Sequence, residues 1–174
     1  MSETTTILVK SLGEYELALK VRREVFVREQ GVPESIEVDA YEKEATHFLT
    51  LFDGIPVGTG RLRLKKSYAK FERIATLKSH RGHGLGRSLM DLMLRYAQEH
   101  HPLHLPAMHA QLEAVGFYVK LRWVPIGEVF EEASILHRVL IYPPHSKAEL
   151  KHLLAWKDPE VHDDIKNHLK TLLA

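Results

Sequence analysis

The stretch KSHRGHGLGRSLMDLML occupies residues 78–94. Gly82, Gly84 and Gly86 alternate with other residues, with Arg81 before them and Arg87 after them, and apolar residues at helical spacing follow. Glycine weakens regular structure unless the backbone needs unusual dihedrals or something must come close to it. The segment YAKFERIATLKS, residues 68–79, reads as a strand, and GRSLMDLMLRYAQEHH, residues 86–101, reads as a helix with Leu89, Leu92, Met93 and Tyr96 or Ala97 facing inward. Strand, glycine loop, helix is a phosphate-binding order. The first helical amides have no intrahelical partner, and the macrodipole makes that end positive. The spacing is G-x-G-x-G, and no Gly-Lys-Ser/Thr follows, which argues against both the dinucleotide fingerprint and the Walker loop. From the glycines alone, a tight turn without a ligand stays open as the alternative.

Working outward, residues 5–10 (TTILVK) read as a first strand and residues 15–30 as an amphipathic helix with Leu17, Val21, Val25 and Phe26 on its apolar face. Residues 31–45 are polar and acidic, a loop with at most one helical turn. Residues 46–64 read as a hairpin centred on Asp53-Gly54, a strong two-residue turn signal. Residues 103–110 form a strand in which Pro106 must leave a ladder bond unmade. Residues 111–122 make a short helix, and WVPIGEVFEEA and ILHRVLIY two closing strands. The order βαβββαβαββ predicts an α+β fold with a mixed sheet flanked by helices. After Pro143-Pro144 the tone changes to two short amphipathic helices. Leu150, Leu153, Leu154 and Trp156 cluster in the first; Val161, Ile165, Leu169 and Leu172 cluster in the second, with Asp158 as N-cap and Pro159 at the first helical position. The expected organisation is a domain over residues 1–142 and a helical extension over 143–174, packed on that domain or forming a homodimer contact.

The 174 residues suit one domain with a small appendage, large enough to bury a core unaided. The net charge of +1 gives no basic excess for nucleic acid. There is no cysteine, which excludes disulfides, thiolate metal sites and a covalent cysteine intermediate. MSETTT carries no apolar signal core and no run is long enough to cross a bilayer, so no membrane partner and a cytoplasmic address are expected. Of the 12 histidines, His100, His101, His104 and His109 cluster in sequence. Two of them end a helix, where a cation is favourable, and the other two differ in strand parity, so no metal site is expected.

RGHGLG matches the R/Q-x-x-G-x-G/A signature of the GNAT acyl-CoA N-acyltransferases, with Arg81, Gly84 and Gly86 at the fixed positions. FYVKLRW, residues 117–123, resembles that family's F-Y-x-K-x-G-F segment. The resemblance covers roughly residues 5–142. It extends to the ElaA-like subgroup through VRREVFVREQGVPESIEVD, ERIATLKSHRGHGLG and HAQ…FYVKL…IGEVFEEASILH. It implies an α+β, three-layer GNAT fold with splayed central strands and an acetyl-CoA-dependent N-acetyltransferase. The amides of Arg81, Gly82, His83, Gly84, Leu85 and Gly86 would cradle the pyrophosphate, with Arg87 adding charge. The strand around Ile74, Ala75 and Leu77 would bind the pantetheine arm through its backbone, and Gln111, Phe117 and Lys120 would lie on the cofactor side.

Acetyl transfer to an amine needs a neutral nucleophile, donors for the developing oxyanion and a proton for the departing thiolate. Tyr118 stands where the family's tyrosine serves the leaving group. For the base, Glu72, Glu128, His137 and a water chain all stay open. Arg22, Gln30 and Asp39, with His47 and Arg61, are the residues expected at the acceptor pocket, and a small-molecule primary amine is the expected acceptor. A peptide or protein amine, or a non-catalytic acyl-CoA-binding module, are the rival readings. Two departures stand out: Arg122 and Trp123 replace the family's Gly-Phe, and ASILH, residues 133–137, stands where the subgroup commonly has a Gly and a Pro before the histidine. Glycine at position 122 would end the helix in a left-handed conformation that arginine adopts only at a cost, so a reshaped helix end is expected there.

Overall fold

A computed structural model describes residues 2–144, 146–155 and 163–172, the side chains of residues 153 and 154 excepted. The elements are β1 (Thr4–Leu8), α1 (Leu12–Arg22) continued by a π-helical segment (Arg23–Glu29), α2 (Glu34–Glu37), β2 (Thr46–Phe52), β3 (Ile55–Leu64), β4 (Tyr68–Thr76), α3 (Leu85–His100), β5 (Leu105–Gln111), α4 (Val115–Lys120), β6 (Val124–Glu132), β7 (Ile135–Ile141), α5 (Lys147–Ala155) and α6 (Asp163–Thr171). This is the predicted order, with a short 3-10 turn before α3 and another before α4.

The chain divides into two compact units, Met1–Arg63 with Phe71–Tyr96, and Leu64–Lys70 with Ala97–Ala174. Strand β4 contributes to both. In the first unit the strand order is β1-β2-β3-β4, and in the second β4-β5-β7-β6. The β1-β2, β2-β3, β5-β7 and β6-β7 pairings are antiparallel. The β2-β3 hairpin turns on Asp53 (φ 50°) and Gly54 (φ 77°), the two left-handed residues that a tight right-twisted hairpin requires.

Helix α1 begins three residues earlier than its apolar pattern suggests. Ser11 and Glu14 form a capping box, in which the Glu14 N–H donates to Ser11 Oγ at 3.2 Å and the Ser11 N–H to Glu14 Oε2 at 3.0 Å. The π-helical segment then rotates the face that points inward, because its bonds span five residues instead of four. The expected core position Leu17, in the regular helix before that segment, is 38% exposed, while Ala18, Leu19, Val21 and Val25 are buried, together with Arg22. The rest of the first core comes from Phe48, Leu49, Val57, Leu62 and Phe71 and from one face of α3, where Leu85, Leu89, Met90 and Met93 are buried.

In the second unit, Leu105, Ala107, Ile126, Val139 and Ile141 form one apolar face of β5-β7-β6. Leu150 of α5 and Ile165 and Leu169 of α6 pack into the same cluster. Leu172 stays 43% exposed. The expected capping pair Asp158-Pro159, Trp156, Val161 and the side chains of Leu153 and Leu154 lie outside the described residues. Pro106 sits at the start of β5, one residue before the β5-β7 ladder begins, so its missing N–H breaks no ladder bond with β7; its carbonyl accepts from the Tyr142 N–H at 2.9 Å.

Candidate functional site

In the first unit, β4 ends at Thr76 and the chain turns through Lys78–His80 into the glycine loop. Gly82 (φ 83°) and Gly84 (φ 78°) are left-handed, whereas Gly86 already lies within α3. A Cβ added at either left-handed glycine would meet nothing within 4 Å, so the loop face is open. The Gly84 carbonyl accepts from the Ser88 N–H at 3.1 Å and starts the helical ladder. The amides of Leu85, Gly86 and Arg87 come before that first bond and share the positive end of a 16-residue helix.

Arg81 is already engaged. Its Nε donates to the Thr76 carbonyl at 3.0 Å, and its two terminal nitrogens bind the Glu29 carboxylate at 2.7 and 2.8 Å. The guanidinium thus ties the end of β4 and the glycine loop to the last residue of the π-helical segment. Arg81 holds the Glu29 carboxyl below its usual range. On the cofactor strand, Ala75 is buried, Ile74 and Leu77 are partly exposed, and the Leu77 N–H donates to Val57 O at 2.8 Å.

Next to this strand, the first unit holds an ionic cluster assembled from four elements and a loop. Arg22 donates to Glu37 at 2.5 Å and, through both terminal nitrogens, to Glu42 at 2.8 Å. Arg61 grips Asp39 with two bonds of 2.8 Å, lies 3.0 Å from Glu72, and also binds Glu42. Arg63 reaches Glu72 at 2.5 Å and stacks 3.8 Å over the Tyr41 ring. Arg73 is left-handed (φ 56°) within β4; it contacts Glu37 at 2.9 Å and Asp39 at 3.3 Å and donates to the Ile36 carbonyl at 2.9 Å. Arg22 and Arg61 are buried completely, or nearly so. Charges in that position are tolerable only because each guanidinium faces carboxylates.

The cluster sets unusual proton affinities. Burial alone would raise Asp39 and Glu42, but the Arg61 bonds to the first and the Arg22 bonds to the second outweigh it and pull each to about 2. Burial, followed by its hydrogen bond to Glu42 (2.9 Å), pushes Tyr15 up to about 12. His47 is lowered, chiefly by burial.

Of the acceptor residues expected from the sequence, Arg22, Asp39, His47 and Arg61 do come together here. The Gln30 backbone caps the π-helical segment, its N–H donating to the Val25 and Val27 carbonyls. Glu72, a candidate base, is a counterion to Arg61 and Arg63. Glu42, Tyr15 and Arg73 were not foreseen. Glu42 lies in an irregular loop with no periodic signal, and Arg73 depends on a local left-handed residue.

In the second unit, Tyr118 on α4 is 6% exposed, and burial pushes its phenol up, so it carries its proton at neutral pH. The neighbouring Phe117 ring meets it edge-on at 5.0 Å, while Phe117 and Lys120 are exposed and Gln111 is half-buried at the end of β5. The end of α4 keeps the family geometry without its glycine. Arg122 is left-handed (φ 71°), its N–H donates to Val119 O at 2.9 Å, and the Trp123 N–H donates to Tyr118 O at 3.1 Å, a Schellman cap. The expected reshaping does not occur, because buried Trp123 anchors the turn. Ala133 (φ 51°) and Ser134 (φ 60°) likewise hold a left-handed two-residue turn between β6 and β7. Glu128 is exposed on β6, and His137 is buried, with Nδ1 2.8 Å from Ile135 O and its ring stacked on Phe130. His101 and His104 help line a cavity of about 130 Å³ with Pro106, Tyr142 and Glu149, and burial lowers both. Among the described residues, no group of three or more potential ligands could hold a metal ion.

Comparison with known proteins converges on one family. Residues 10–139 match the acetyltransferase (GNAT) domain. An uncharacterised N-acetyltransferase of Bacillus subtilis, YjcF, is 39% identical over 133 residues, covering 75% of this chain and 94% of that protein. The crystal structure of an acyl-CoA N-acyltransferase from Pseudomonas aeruginosa superposes with a TM-score of 0.71 at 26% identity, over 82% of this chain and all of the other. That of Escherichia coli ElaA superposes at 0.70 and 23% identity, over 80% of this chain and 99% of the other, a likeness of fold. The chain belongs to the GNAT acetyltransferase family, has its open mixed sheet flanked by helices, and is an acyltransferase.

Proposed function

We propose that this chain transfers the acetyl group of acetyl-CoA directly to the primary amine of a small molecule. The observation that carries the reading is the open glycine loop. Two left-handed glycines leave nothing above the backbone where the chain enters α3, and a diphosphate needs that space and those amides. The amides from Arg81 to Gly86 would hold the pyrophosphate, with Arg87 beside them. The guanidinium of Arg81 would act by fixing the loop, since its three nitrogens already have partners. The backbone of Ile74, Ala75 and Leu77 would take the pantetheine arm, and Gln111, Phe117 and Lys120 would complete the cofactor side. Acetyl-CoA supplies the activated acyl group; no metal is required.

Without cysteine the acyl group passes in one step within a ternary complex. Tyr118 would protonate the departing thiolate. Burial keeps this phenol protonated over the whole physiological range, so a donor is present for the sulfur, while the tighter hold makes it a weaker acid than a free phenol. The acceptor would sit against the ionic cluster of Arg22, Asp39, His47 and Arg61. Among the described residues no helix is long and apolar enough to cross a membrane, which fits the cytoplasmic address proposed here. The packing of Leu150, Ile165 and Leu169 supports residues 143–174 as an extension docked on the domain formed by residues 1–142.

Thiol release from acetyl-CoA against a panel of amines and peptides tests the reading. Small amines should give turnover. Turnover with peptides alone would favour a protein acceptor, and acetyl-CoA binding without turnover a non-catalytic module. Tyr118→Phe should lower kcat by about 10²-fold or more with acetyl-CoA affinity retained. An unchanged kcat removes Tyr118 from the chemistry.

A further inference from the structure

The polar row that crosses β2, β3 and β4 contains two buried atoms whose hydrogen-bonding capacity is unused. His47 and Arg61 are direct partners in the β2-β3 register, so their side chains stand on one face of the sheet as neighbours. His47 is 7% exposed and Arg61 0%. His47 Nε2 lies 2.9 Å from the Glu42 backbone carbonyl, and because a carbonyl only accepts, this nitrogen carries the hydrogen and Nδ1 keeps its lone pair. Nothing among the described residues meets Nδ1. The terminal nitrogens of Arg61 are taken by Asp39, Glu42 and Glu72, but its Nε–H has no partner among the described residues.

A buried acceptor and a buried donor left open on facing residues are each costly, and a single water held between them would satisfy both at once. The same row runs on through Glu72 into β4, the strand assigned above to the pantetheine arm. Glu72 carries two guanidiniums, and the carboxylates of Asp39 and Glu42 are held by arginines. His47 is thus the unprotonated group in the cluster with a lone pair that no cation occupies.

We propose that His47 is the proton acceptor of the transfer reaction, reached through one water molecule held between its Nδ1 and the Nε–H of Arg61. The inference rests on the acetyltransferase reading. As the amine lone pair adds to the thioester carbonyl, the C–N bond forms and the nitrogen becomes cationic and strongly acidic. It gives a proton to the water, and the water gives one of its own to Nδ1. The C–S bond then breaks with its electron pair going to sulfur. The thiolate takes the Tyr118 proton, the imidazolium releases its own to solvent, and the phenolate recovers one from solvent. The net change is one proton moved from nitrogen to sulfur. Glu42 positions the base, because its backbone carbonyl selects the tautomer while its carboxylate fixes Arg22 and Arg61. The groups facing His47 are the Tyr15 ring edge-on at 5.0 Å, Arg22 from α1, Arg61 from β3 and the Glu42 carboxylate at 3.8 Å. Burial first, and then the two arginines, keep the imidazole neutral at pH 7 against the opposing pull of Glu42.

The test is the pH dependence of kcat/KM for an acetylated amine in the wild type and in His47→Gln. The wild type should lose activity on the acid side, with its limb lying below the ordinary imidazole value because burial lowers His47. His47→Gln should lose on the order of 10²-fold in kcat, lose the acid limb and keep its acetyl-CoA affinity by calorimetry. A variant with wild-type rate and an unchanged acid limb overturns the proposal. If that variant does not fold, nitrogen NMR of the wild-type histidine decides. Nε2–H with a bare Nδ1 that titrates together with the acid limb supports it; a protonated Nδ1 at pH 7 overturns it. Transfer that is indifferent to His47 defeats this inference alone. Absence of transfer to any amine defeats the reading beneath it.

Discussion

Arg122→Gly should make the protein more stable. Arg122 holds φ at 71°, a conformation in which a side chain crowds the backbone by roughly 1–2 kcal/mol and glycine does not. The position is exposed, so the substitution removes no buried surface. Both cap bonds, Arg122 N–H to Val119 O and Trp123 N–H to Tyr118 O, are made by the backbone and survive. Against the gain stands the greater freedom of glycine in the unfolded chain, about 0.4–1 kcal/mol. The net is about 0.5–1 kcal/mol in favour of glycine. For a chain of 174 residues that raises Tm by about 1–4 °C. Thermal unfolding followed by circular dichroism reads the shift, and urea unfolding should show a higher midpoint with an unchanged slope. Arg122→Ala is the control: alanine meets the same backbone crowding and should change stability by less than about 0.5 kcal/mol. A glycine variant no more stable than wild type, or an alanine variant that matches it, refutes the strain argument.

Gly84→Glu should abolish acetyl-CoA binding in calorimetry while the fold persists, because the new side chain enters open space where phosphate charge belongs; retained affinity would contradict the cradle. Glu42→Gln should cost about 3–5 kcal/mol in urea unfolding, since it weakens the anchor shared by two buried guanidiniums; a loss below about 1 kcal/mol would mean that the cluster is looser than its geometry. Acid should unfold the protein through Asp39 and Glu42. Both sit at about 2 when folded, below ordinary values of 3.8 and 4.5, so the folded state binds fewer protons between those limits. Their contribution is complete above about pH 4.5 and is lost as pH falls toward about 2. A urea midpoint that does not fall between pH 5 and pH 3 would show that these carboxylates are not held as described.

The order of elements and the glycine loop were legible because both are local signals. Alternating and helical periods, Asp53-Gly54 and RGHGLG each declare themselves within a few residues. The start of α1 was also local, in the capping box of Ser11 and Glu14, but the apolar pattern drew the boundary to residue 15. The π-helical segment was not legible: REVFV offers no residue type that separates a five-residue bond from a four-residue one. The exposure of Leu17 is a separate correction, within the regular helix. The ionic cluster was half legible. Arg22 and Asp39 could be placed through the family resemblance, and His47 and Arg61 as polar residues able to face the same cavity, yet Glu42, which joins Arg22 to Arg61, carries no sequence signal. Its partners come from α1, β2 and β3, and only the folded chain brings these together.

That arrangement gives the α1–π segment two jobs within the first unit. Near its middle, Arg22 is locked into the cluster where the acceptor would bind. At its end, Glu29 takes two nitrogens of Arg81, whose third nitrogen holds the last carbonyl of β4. The π-helical bonds change the phase between these two residues, so a side chain seven positions on meets the glycine loop while the earlier one stays buried. A helix of uniform 3.6-residue turns would place positions 22 and 29 about 20° from the same face, one above the other. The wider turn lets one continuous segment address both the loop that would hold the cofactor and the cluster that would hold the acceptor. The exposed Glu29–Arg81 pair is the weaker of these two anchors and the buried Arg22 the firmer one, because a solvated ion pair contributes little while a buried guanidinium cannot leave its carboxylates without a large cost.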